Sequence, residues 1–250
     1  VHLASGEENG FLPAPDDRLE ADLLYICSPN NPTGAVFRRE QLQAWVDYAN
    51  KTGAVILFDA AYEAFIEEEG LPHSIFELEG AETCAIEICS LSKTAGFTGT
   101  RLGYTVIPKA LVRGGMNLNE MWVRNRTTKT NGVSYIIQKG GAAVFTPEGQ
   151  KQIHANIQVY KKNAACLMET LDALGIWYCG GKNAPYIWMK CPDGMTSWEF
   201  FDYLLHEIQV VGTPGEGFGA CGEGYFRFST FGSVEDTKEA ARRLAKLLKK

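Results

Sequence analysis

The chain has 250 residues, 45% of them hydrophobic, and a formal net charge of −6 at pH 7. This length can bury the core of one large domain or two small ones, and the mild, dispersed acidity argues against a basic surface for nucleic acid or for a membrane. No apolar run reaches the length of a membrane span, and seven singly scattered cysteines argue against a disulfide framework or a structural metal site. We therefore expect a soluble intracellular protein without a metal.

The first half of the chain alternates apolar strands with amphipathic helices. Residues 23–27 form a continuous apolar run that stops at Ser28-Pro29, which predicts a buried strand. A helical spacing of apolar residues follows and stops at Gly53. Further buried strands are predicted at 54–58, 85–91 and 102–107. Strands without alternation, separated by helices, are typical of α/β folds, so we predict a mostly parallel sheet flanked by helices on both faces.

The second half begins with a helix-start signal, Thr146-Pro147-Glu148. Apolar residues then recur at steps of four and three over 153–174, which predicts one long helix that connects two domains. Beyond it we predict strands at 186–189 and 225–229, and helices that begin at capping boxes at Thr196 and Ser233. We therefore expect part of a large domain over 1–146, and a connecting helix with a small α+β domain over 147–250.

Lys93 directly follows the third predicted strand. A lysine that performs covalent chemistry must lose its proton, which requires desolvation or neighbouring cations. Ser90, Ser92 and Arg101 offer two hydroxyls and a planar cation that can hold a phosphate. A reactive amine beside an anion site suggests pyridoxal phosphate, held covalently by the lysine. Taken alone, Lys93 fits a surface lysine after a buried strand better, so the hypothesis depends on further motifs.

Two more motifs follow predicted strands at the edge where open α/β sheets bind their ligands. Residues 28–34, Ser-Pro-Asn-Asn-Pro-Thr-Gly, form a rigid loop in which either X-Pro bond can be cis, and this loop fixes the amide of Asn31. Asp59 ends an apolar strand, where a carboxylate is costly to bury unless it meets a cation such as a pyridinium nitrogen. Tyr62 can then hydrogen-bond the ring's 3-hydroxyl. The alternatives are an ordinary βα turn and a helix N-cap.

A fourth motif is Arg227 in the aromatic strand 225–229. Its guanidinium can offer a bidentate fork to a carboxylate in a dry site, although alternating strands often point a cation to solvent. Nearby, residues 217–222 match the dinucleotide-binding pattern G-x-G-x-x-G. That pattern requires a strand before it and a helix after it, whereas here Thr213-Pro214-Gly215 precedes and a strand follows. We therefore reject nucleotide binding and predict a flexible glycine loop near the site.

The order of these motifs resembles that of fold-type I aminotransferases over the whole chain. It runs from Asn-Pro-Thr-Gly to Asp-x-x-Tyr, then to Ser-x-x-Lys with an arginine eight residues on, and ends with a late arginine in a strand. Within that family, the stretches 27–34, 93–103, 181–186 and 213–215 are similar to LL-diaminopimelate aminotransferases. The resemblance implies the fold-type I architecture, pyridoxal 5'-phosphate as cofactor, amino acids and keto acids as substrates, and a homodimer.

The resemblance also implies roles for individual residues. Its cofactor-binding set is Lys93 as the covalent attachment, Asp59 at the pyridinium nitrogen, Tyr62 and Asn31 at the 3-oxygen, and Ser90 and Arg101 at the phosphate. Its substrate-binding set is Arg227 at the α-carboxylate, Asn31, and Asn131, which matches a position that reaches the partner subunit's active site.

The activity implied by the resemblance is transamination in lysine biosynthesis, from LL-2,6-diaminopimelate and 2-oxoglutarate to tetrahydrodipicolinate and L-glutamate. Another fold-type I enzyme, either a different aminotransferase or a lyase, remains open because the cofactor set is shared. A non-catalytic aminotransferase-like domain of a transcription regulator is the other alternative.

Members of the resembled family carry a long N-terminal portion before the region that begins here. It supplies a glycine-rich helix start for the phosphate and an aromatic that stacks on the cofactor ring, and its absence would leave a sheet face or edge uncovered. We therefore expect this chain to be the C-terminal part of a longer enzyme. A cytoplasmic location is expected, or the plastid stroma in a photosynthetic eukaryote.

Overall fold

The computed structural model describes residues 2–16 and 18–248, which form two compact units. The sheet unit contains the described residues within 14–29 and 36–154, and the C-terminal unit contains those within 1–13, 30–35 and 155–250. In the second half of the chain, the boundary between the two units lies between residues 154 and 155. The predicted division into domains over 1–146 and 147–250 stays a prediction.

The sheet unit contains the strands and helices predicted for the first half of the chain, together with several short elements. In chain order they are β1 (Leu23–Cys27), α1 (Arg39–Thr52), β2 (Val55–Asp59), β3 (Ala85–Ser90), α2 (Leu91–Thr94), β4 (Gly103–Val106), β5 (Val112–Arg113), β6 (Met116–Asn117), α3 (Leu118–Lys129) and α4 (Tyr135–Val144). The predicted end of the first helix is confirmed, because Gly53 follows α1 with a φ of 80° and its N–H donates to the carbonyl of Ala49.

Four strands form one sheet in the order β1-β2-β3-β4. The first three are parallel, with Cys27 opposite Asp59 and Asp59 opposite Ile88, which confirms the mostly parallel α/β sheet. The fourth strand is antiparallel to β3 and places Gly103 opposite Ser90. The connection from β3 to β4, residues 91–102, holds α2 and the helical turn Thr98–Thr100, and it returns the chain beside the strand it has just left.

The two faces of this sheet differ in burial along β1. Leu24 and Ile26 are buried, whereas Leu23 is 57% and Tyr25 is 65% exposed. The buried face belongs to a core that includes apolar side chains of α1, listed here as Leu42, Trp45, Val46 and Ala49. Within the described residues, the uniformly apolar sequence of β1 therefore alternates in burial with a period of two.

The C-terminal unit is a small α+β fold, as predicted. Its elements are β7 (Tyr178–Gly180), β8 (Tyr186–Lys190), α6 (Ser197–Ile208), β9 (Thr213–Pro214), β10 (Tyr225–Ser229) and α7 (Val234–Leu248). The strands form an antiparallel sheet in the order β7-β8-β10-β9. Its core includes Leu171, Ile187, Phe200 and Phe226, each fully buried.

The long helix predicted for the second half is confirmed as α5 (Pro147–Leu174), which stops before Gly175. Its apolar stripe contributes Leu167 and Leu171 to the core of the C-terminal unit. Neither α5 nor any other helix within residues 2–16 and 18–248 is long and apolar enough to cross a membrane.

Candidate active site

Asp59 is the last residue of β2 and lies half-buried at the carboxyl edge of the sheet. Its Oδ2 accepts a 2.5 Å hydrogen bond from the hydroxyl of Tyr25, and its Oδ1 accepts one of 3.1 Å from the N–H of Ala61. Asp59 thus closes a turn and is not the N-cap of a helix, because the next helical turn, Glu63–Phe65, has Tyr62 at that position. Two donors therefore fix the orientation of the carboxylate.

The hydroxyl of Tyr25 is held in its protonated state. Its partial burial, followed by its hydrogen bond to the carboxylate of Asp59, raises the pKa of Tyr25 well above the ordinary value of 10.0. The phenol therefore acts as a hydrogen-bond donor at every physiological pH. Tyr62, three residues after Asp59, is buried.

Ser90 and Lys93 occupy the end of the neighbouring strand. Since Asp59 lies opposite Ile88 in the parallel pair, Ser90 is one strand over and two residues further along, on the same face of the sheet. The Oγ of Ser90 accepts a 3.2 Å hydrogen bond from the N–H of Ser92, which caps α2. Lys93 is the third residue of α2 and is half-buried. The topology therefore brings the predicted carboxylate, hydroxyl and amine to one sheet edge.

The connection between β3 and β4 returns the chain to the same edge of the sheet at Arg101. The N–H of Leu91 donates to the carbonyl of Leu102, the residue directly after Arg101, at 3.1 Å. The pairing of β3 with β4 is tight because Gly103 approaches β3 closely: a Cβ at this position would stand 2.6 Å from the carbonyl oxygen of Cys89. Arg101 itself is exposed, and its Nη1 donates to the carbonyl of Thr98 at 2.7 Å.

Asn131 lies between α3 and α4, in the same unit. Its backbone has a φ of 54°, and its N–H donates to the carbonyl of Arg126 at 2.8 Å. It lines a cavity of about 780 Å³ together with Leu91 and Leu102, which flank the Lys93 segment. The exposed Asn131 is therefore close to the chain segment that carries the predicted amine, while its role toward a partner subunit stays a prediction.

Asn31 and Arg227 form a second group, in the C-terminal unit. Nη1 of Arg227 donates to Oδ1 of Asn31 at 2.5 Å, and Nη2 donates to Oγ1 of Thr213 at 3.2 Å. The guanidinium carbon also lies over the rings of Tyr186 and Phe218, 4.4 and 4.7 Å from their centroids. Arg227 is therefore half-buried among fixed partners, so the alternative of a cation that points to solvent is wrong.

The loop that carries Asn31 has the rigid form that its sequence predicts. Both of its X-Pro bonds, Ser28-Pro29 and Asn31-Pro32, are cis. Gly34 has a φ of 69°, and a Cβ there would come within 2.7 Å of the carbonyl oxygen of Tyr186. A side chain at this position would thus separate the loop from β8.

Three aromatic residues of these two groups were missed by sequence reasoning. Tyr25 had a usable signal, since it lies two residues before Cys27, which pairs with Asp59 and so shares its face. Tyr186 and Phe218 had none, because their sequence positions do not reveal that they meet Arg227.

The profile of the family "aminotransferase class I and II" matches residues 8–244. The chain belongs to this family. Curated LL-diaminopimelate aminotransferases of Agathobacter rectalis and Lachnospira eligens are 53% and 57% identical to this aminotransferase chain over 99% of its length. The chain spans 61% of the length of each of these relatives.

Solved aminotransferase structures agree with the fold. The L,L-diaminopimelate aminotransferase of Chlamydomonas reinhardtii superposes with a TM-score of 0.92 at 44% identity, over 98% of this chain and 60% of that one. The aromatic aminotransferase of Pyrococcus horikoshii OT3 superposes with a TM-score of 0.86 at 28% identity, over 99% of this chain and 66% of that one. The predicted family resemblance and the fold-type I architecture are thereby confirmed.

Aminotransferases of this class depend on pyridoxal 5'-phosphate. The sheet unit offers a donor set that fits this group: a carboxylate at Asp59, oriented by Tyr25, and a hydroxyl, an amine and a guanidinium on the chain from Ser90 to Arg101. A carboxylate suits the pyridinium nitrogen, the amine suits the aldehyde carbon, and the other two groups suit the phosphate. The residues present at this sheet edge therefore match the chemistry of the cofactor.

Proposed function

We propose that the protein carrying this chain catalyses pyridoxal-phosphate-dependent transamination between LL-2,6-diaminopimelate and 2-oxoglutarate. The products are tetrahydrodipicolinate and L-glutamate, a step of lysine biosynthesis. The observation that carries the proposal is the identity of 53–57% with LL-diaminopimelate aminotransferases over nearly the entire chain. The candidate residues support it, because they supply the charge types that an amino acid and this cofactor require.

In this proposal the sheet unit performs the proton chemistry. When bound, the cofactor supplies a carbonyl that condenses with amino groups and a ring that accepts the electrons released at the substrate Cα. Nζ of Lys93 would move a proton between the substrate Cα and the aldehyde carbon of the cofactor, since it is the amine of the candidate set. The carboxylate of Asp59 would pair with the ring nitrogen of the cofactor and favour its protonated form.

The C-terminal unit would bind the substrate. Arg227 presents a planar cation to the α-carboxylate, and both half-reactions use it because donor and acceptor each carry this group. Asn31, which accepts a hydrogen bond from Nη1 of Arg227, helps to hold the guanidinium in place. Asn31 is also proposed to contact the 3-oxygen of the cofactor together with Tyr62.

We further propose that the whole protein is a homodimer in the cytoplasm. Tyr135 and Ile136 of α4, and Phe145 just after it, are 69%, 78% and 60% exposed. Exposed apolar side chains at the two ends of one helix favour a protein partner over solvent. Asn131, four residues before the start of this helix, would in this proposal reach the active site of a partner subunit. The bacterial relatives support the cytoplasmic location.

The test is a transamination assay on the full-length protein. LL-diaminopimelate should convert 2-oxoglutarate to glutamate in proportion to donor consumed, and Lys93→Ala should abolish this conversion. Turnover of aspartate or aromatic amino acids without turnover of LL-diaminopimelate would overturn the substrate assignment. Ammonia release without an acceptor would instead indicate a lyase.

A further inference from the structure

We infer that Phe218 is a positioning residue for carboxylate recognition: with Tyr186 it packs its ring face against the guanidinium of Arg227 and holds that cation ready for a planar anion. The identity of the anion, the carboxylate of an amino acid or keto acid, rests on the proposed function. The placement of the rings does not, since it follows from the contacts of the C-terminal unit alone.

The guanidinium of Arg227 is constrained in two directions. Its Cζ lies over the Tyr186 and Phe218 rings, at 4.4 and 4.7 Å from their centroids, where the negative face of each ring attracts the cation. Its Nη atoms donate to side-chain oxygens of Asn31 and Thr213 at 2.5 and 3.2 Å. An arginine held in this way loses little rotamer freedom when it binds a ligand, so more of the interaction energy remains as affinity.

Phe218 lies in the glycine-rich loop of residues 217–222, and the fold of this loop brings its ring to Arg227. Two short helical turns, Gly215–Phe218 and Ala220–Gly222, fold the loop on itself. Their backbones touch, since a Cβ on Gly215 would stand 2.1 Å from the carbonyl oxygen of Gly222. Between the turns, Gly219 adopts a φ of 119°, which a residue with a side chain rarely adopts. The close approach of Gly215 and Gly222 therefore closes the base of the loop, and the expectation of a flexible glycine loop stays a prediction.

Ser197 of α6 ties this loop to the rest of the unit. It is fully buried, and its Oγ accepts from the N–H of Glu216, in the helical turn that carries Phe218, at 3.4 Å and from the N–H of Gly224, just after the loop, at 3.1 Å, while it donates to the carbonyl of Tyr225 at 3.0 Å. The ring of Phe218 also packs edge-on against Trp188, with 5.9 Å between centroids and 75° between planes. The glycines thus permit a tight loop, and the loop presents one ring to Arg227.

Loss of this ring should weaken ligand binding and leave the chemical step intact. One contact between a cation and an aromatic face corresponds to roughly 3- to 30-fold in affinity. Because the contact is the same before and during the reaction, Phe218→Leu should raise KM for both the amino donor and the keto acid by this factor, with kcat changed less than about twofold. Phe218→Tyr retains the ring and should restore the wild-type KM.

The experiment uses the full-length holoenzyme and two readouts. Steady-state kinetics give KM and kcat, and calorimetry with glutarate, a dicarboxylate that cannot transaminate, gives binding without turnover. The control is Trp198→Leu, because Trp198 is 51% exposed and its ring packs against Phe201. This control should leave both KM and the glutarate Kd unchanged. Thr213→Val, which removes one oxygen partner of Arg227, should weaken glutarate binding in the same direction as Phe218→Leu.

The outcomes separate this inference from the proposed function. A wild-type protein that transaminates, with a Phe218→Leu variant that keeps the wild-type KM and glutarate Kd, overturns the inference and leaves the function standing. A wild-type protein that binds glutarate, does not transaminate, and loses affinity in Phe218→Leu supports the inference and overturns the function. A wild-type protein that neither transaminates nor binds glutarate overturns both.

Discussion

Tyr25 and Asp59, on neighbouring parallel strands, are joined by a 2.5 Å hydrogen bond from the phenol to the carboxylate. Tyr25 lies on the exposed face of β1, so the carboxylate of Asp59 is oriented by a donor from the neighbouring strand. Hydrogen bonds to charged groups contribute more than neutral ones, about 1.5–3 kcal/mol. Tyr25 thus helps to set the orientation of the Asp59 carboxylate, which is proposed to pair with the ring nitrogen of the cofactor.

Replacement of Tyr25 by phenylalanine should weaken cofactor binding. Without the phenol, Asp59 keeps a single identified side-chain hydrogen bond, from the N–H of Ala61, and its carboxylate becomes freer to turn. We expect the Kd for pyridoxal phosphate, measured by fluorescence quenching of the full-length apoprotein, to rise about tenfold.

The matched control for this change is Tyr48→Phe. Tyr48 lies in α1, and its hydroxyl donates to the backbone carbonyl of Leu19, so the control also removes one phenolic hydrogen bond from the sheet unit. It should leave the cofactor Kd unchanged. Equal Kd values for wild type and Tyr25→Phe would contradict the orienting role of Tyr25.

Lys93 should be the site of covalent attachment. When the protein is mixed with pyridoxal phosphate and reduced with borohydride, mass spectrometry should find one major adduct, at Lys93, and Lys93→Arg should remove it. Lys109, which is exposed in the same unit, is the control lysine, and Lys109→Arg should not change the adduct. Scattered adducts over surface lysines would count against a formed site.

The sequence predicts those strands and helices that carry a strong local signal. β1 and β2 lie within one residue of their predicted limits, and α1 ends directly before Gly53 as predicted, whereas α3 and α4 were not predicted. The residues of β4 carry no signal for the direction of this strand. Its direction depends on the path that residues 91–102 take after β3. Likewise, the unbroken apolar sequence of β1 conceals which of its residues face solvent.

The candidate site likewise contains residues that the sequence predicts and contacts that it does not. Asp59 and Lys93 were predicted because each follows an apolar strand, and parallel strands end at one edge. The contact of Phe218 with Arg227 could not be predicted, because the two residues meet only through the packing of Gly215 against Gly222. Short motifs therefore locate the chemical groups, and the fold determines what holds them.

Buried thiols should make the protein less stable in alkaline solution. Burial raises the pKa of Cys84 from 9.0 to about 11, with the charge of Arg113 opposing the rise. Between pH 9 and 11 the unfolded chain has therefore lost a proton that the folded chain retains, so the free energy of unfolding falls as the pH rises. Cys84→Ala should make this slope shallower by up to about 1.4 kcal/mol per pH unit.

The slope is measured by urea denaturation at several pH values. The exposed Cys221 provides the control, and Cys221→Ala should leave the slope unchanged. Parallel curves for wild type and Cys84→Ala over pH 9 to 11 would show that the thiol of Cys84 does not contribute.

Removal of the Ser197 hydroxyl should affect both stability and ligand binding. In Ser197→Ala, the N–H of Gly224 and the carbonyl of Tyr225 lose a buried partner, which should lower the free energy of unfolding by roughly 1–3 kcal/mol. Because this hydroxyl ties down the loop that carries Phe218, glutarate affinity should fall as well. Ser229→Ala, at an exposed position of β10, should change stability by less than about 0.5 kcal/mol. A destabilised Ser197→Ala protein with unchanged glutarate affinity would show that the loop keeps its ring in place without this anchor.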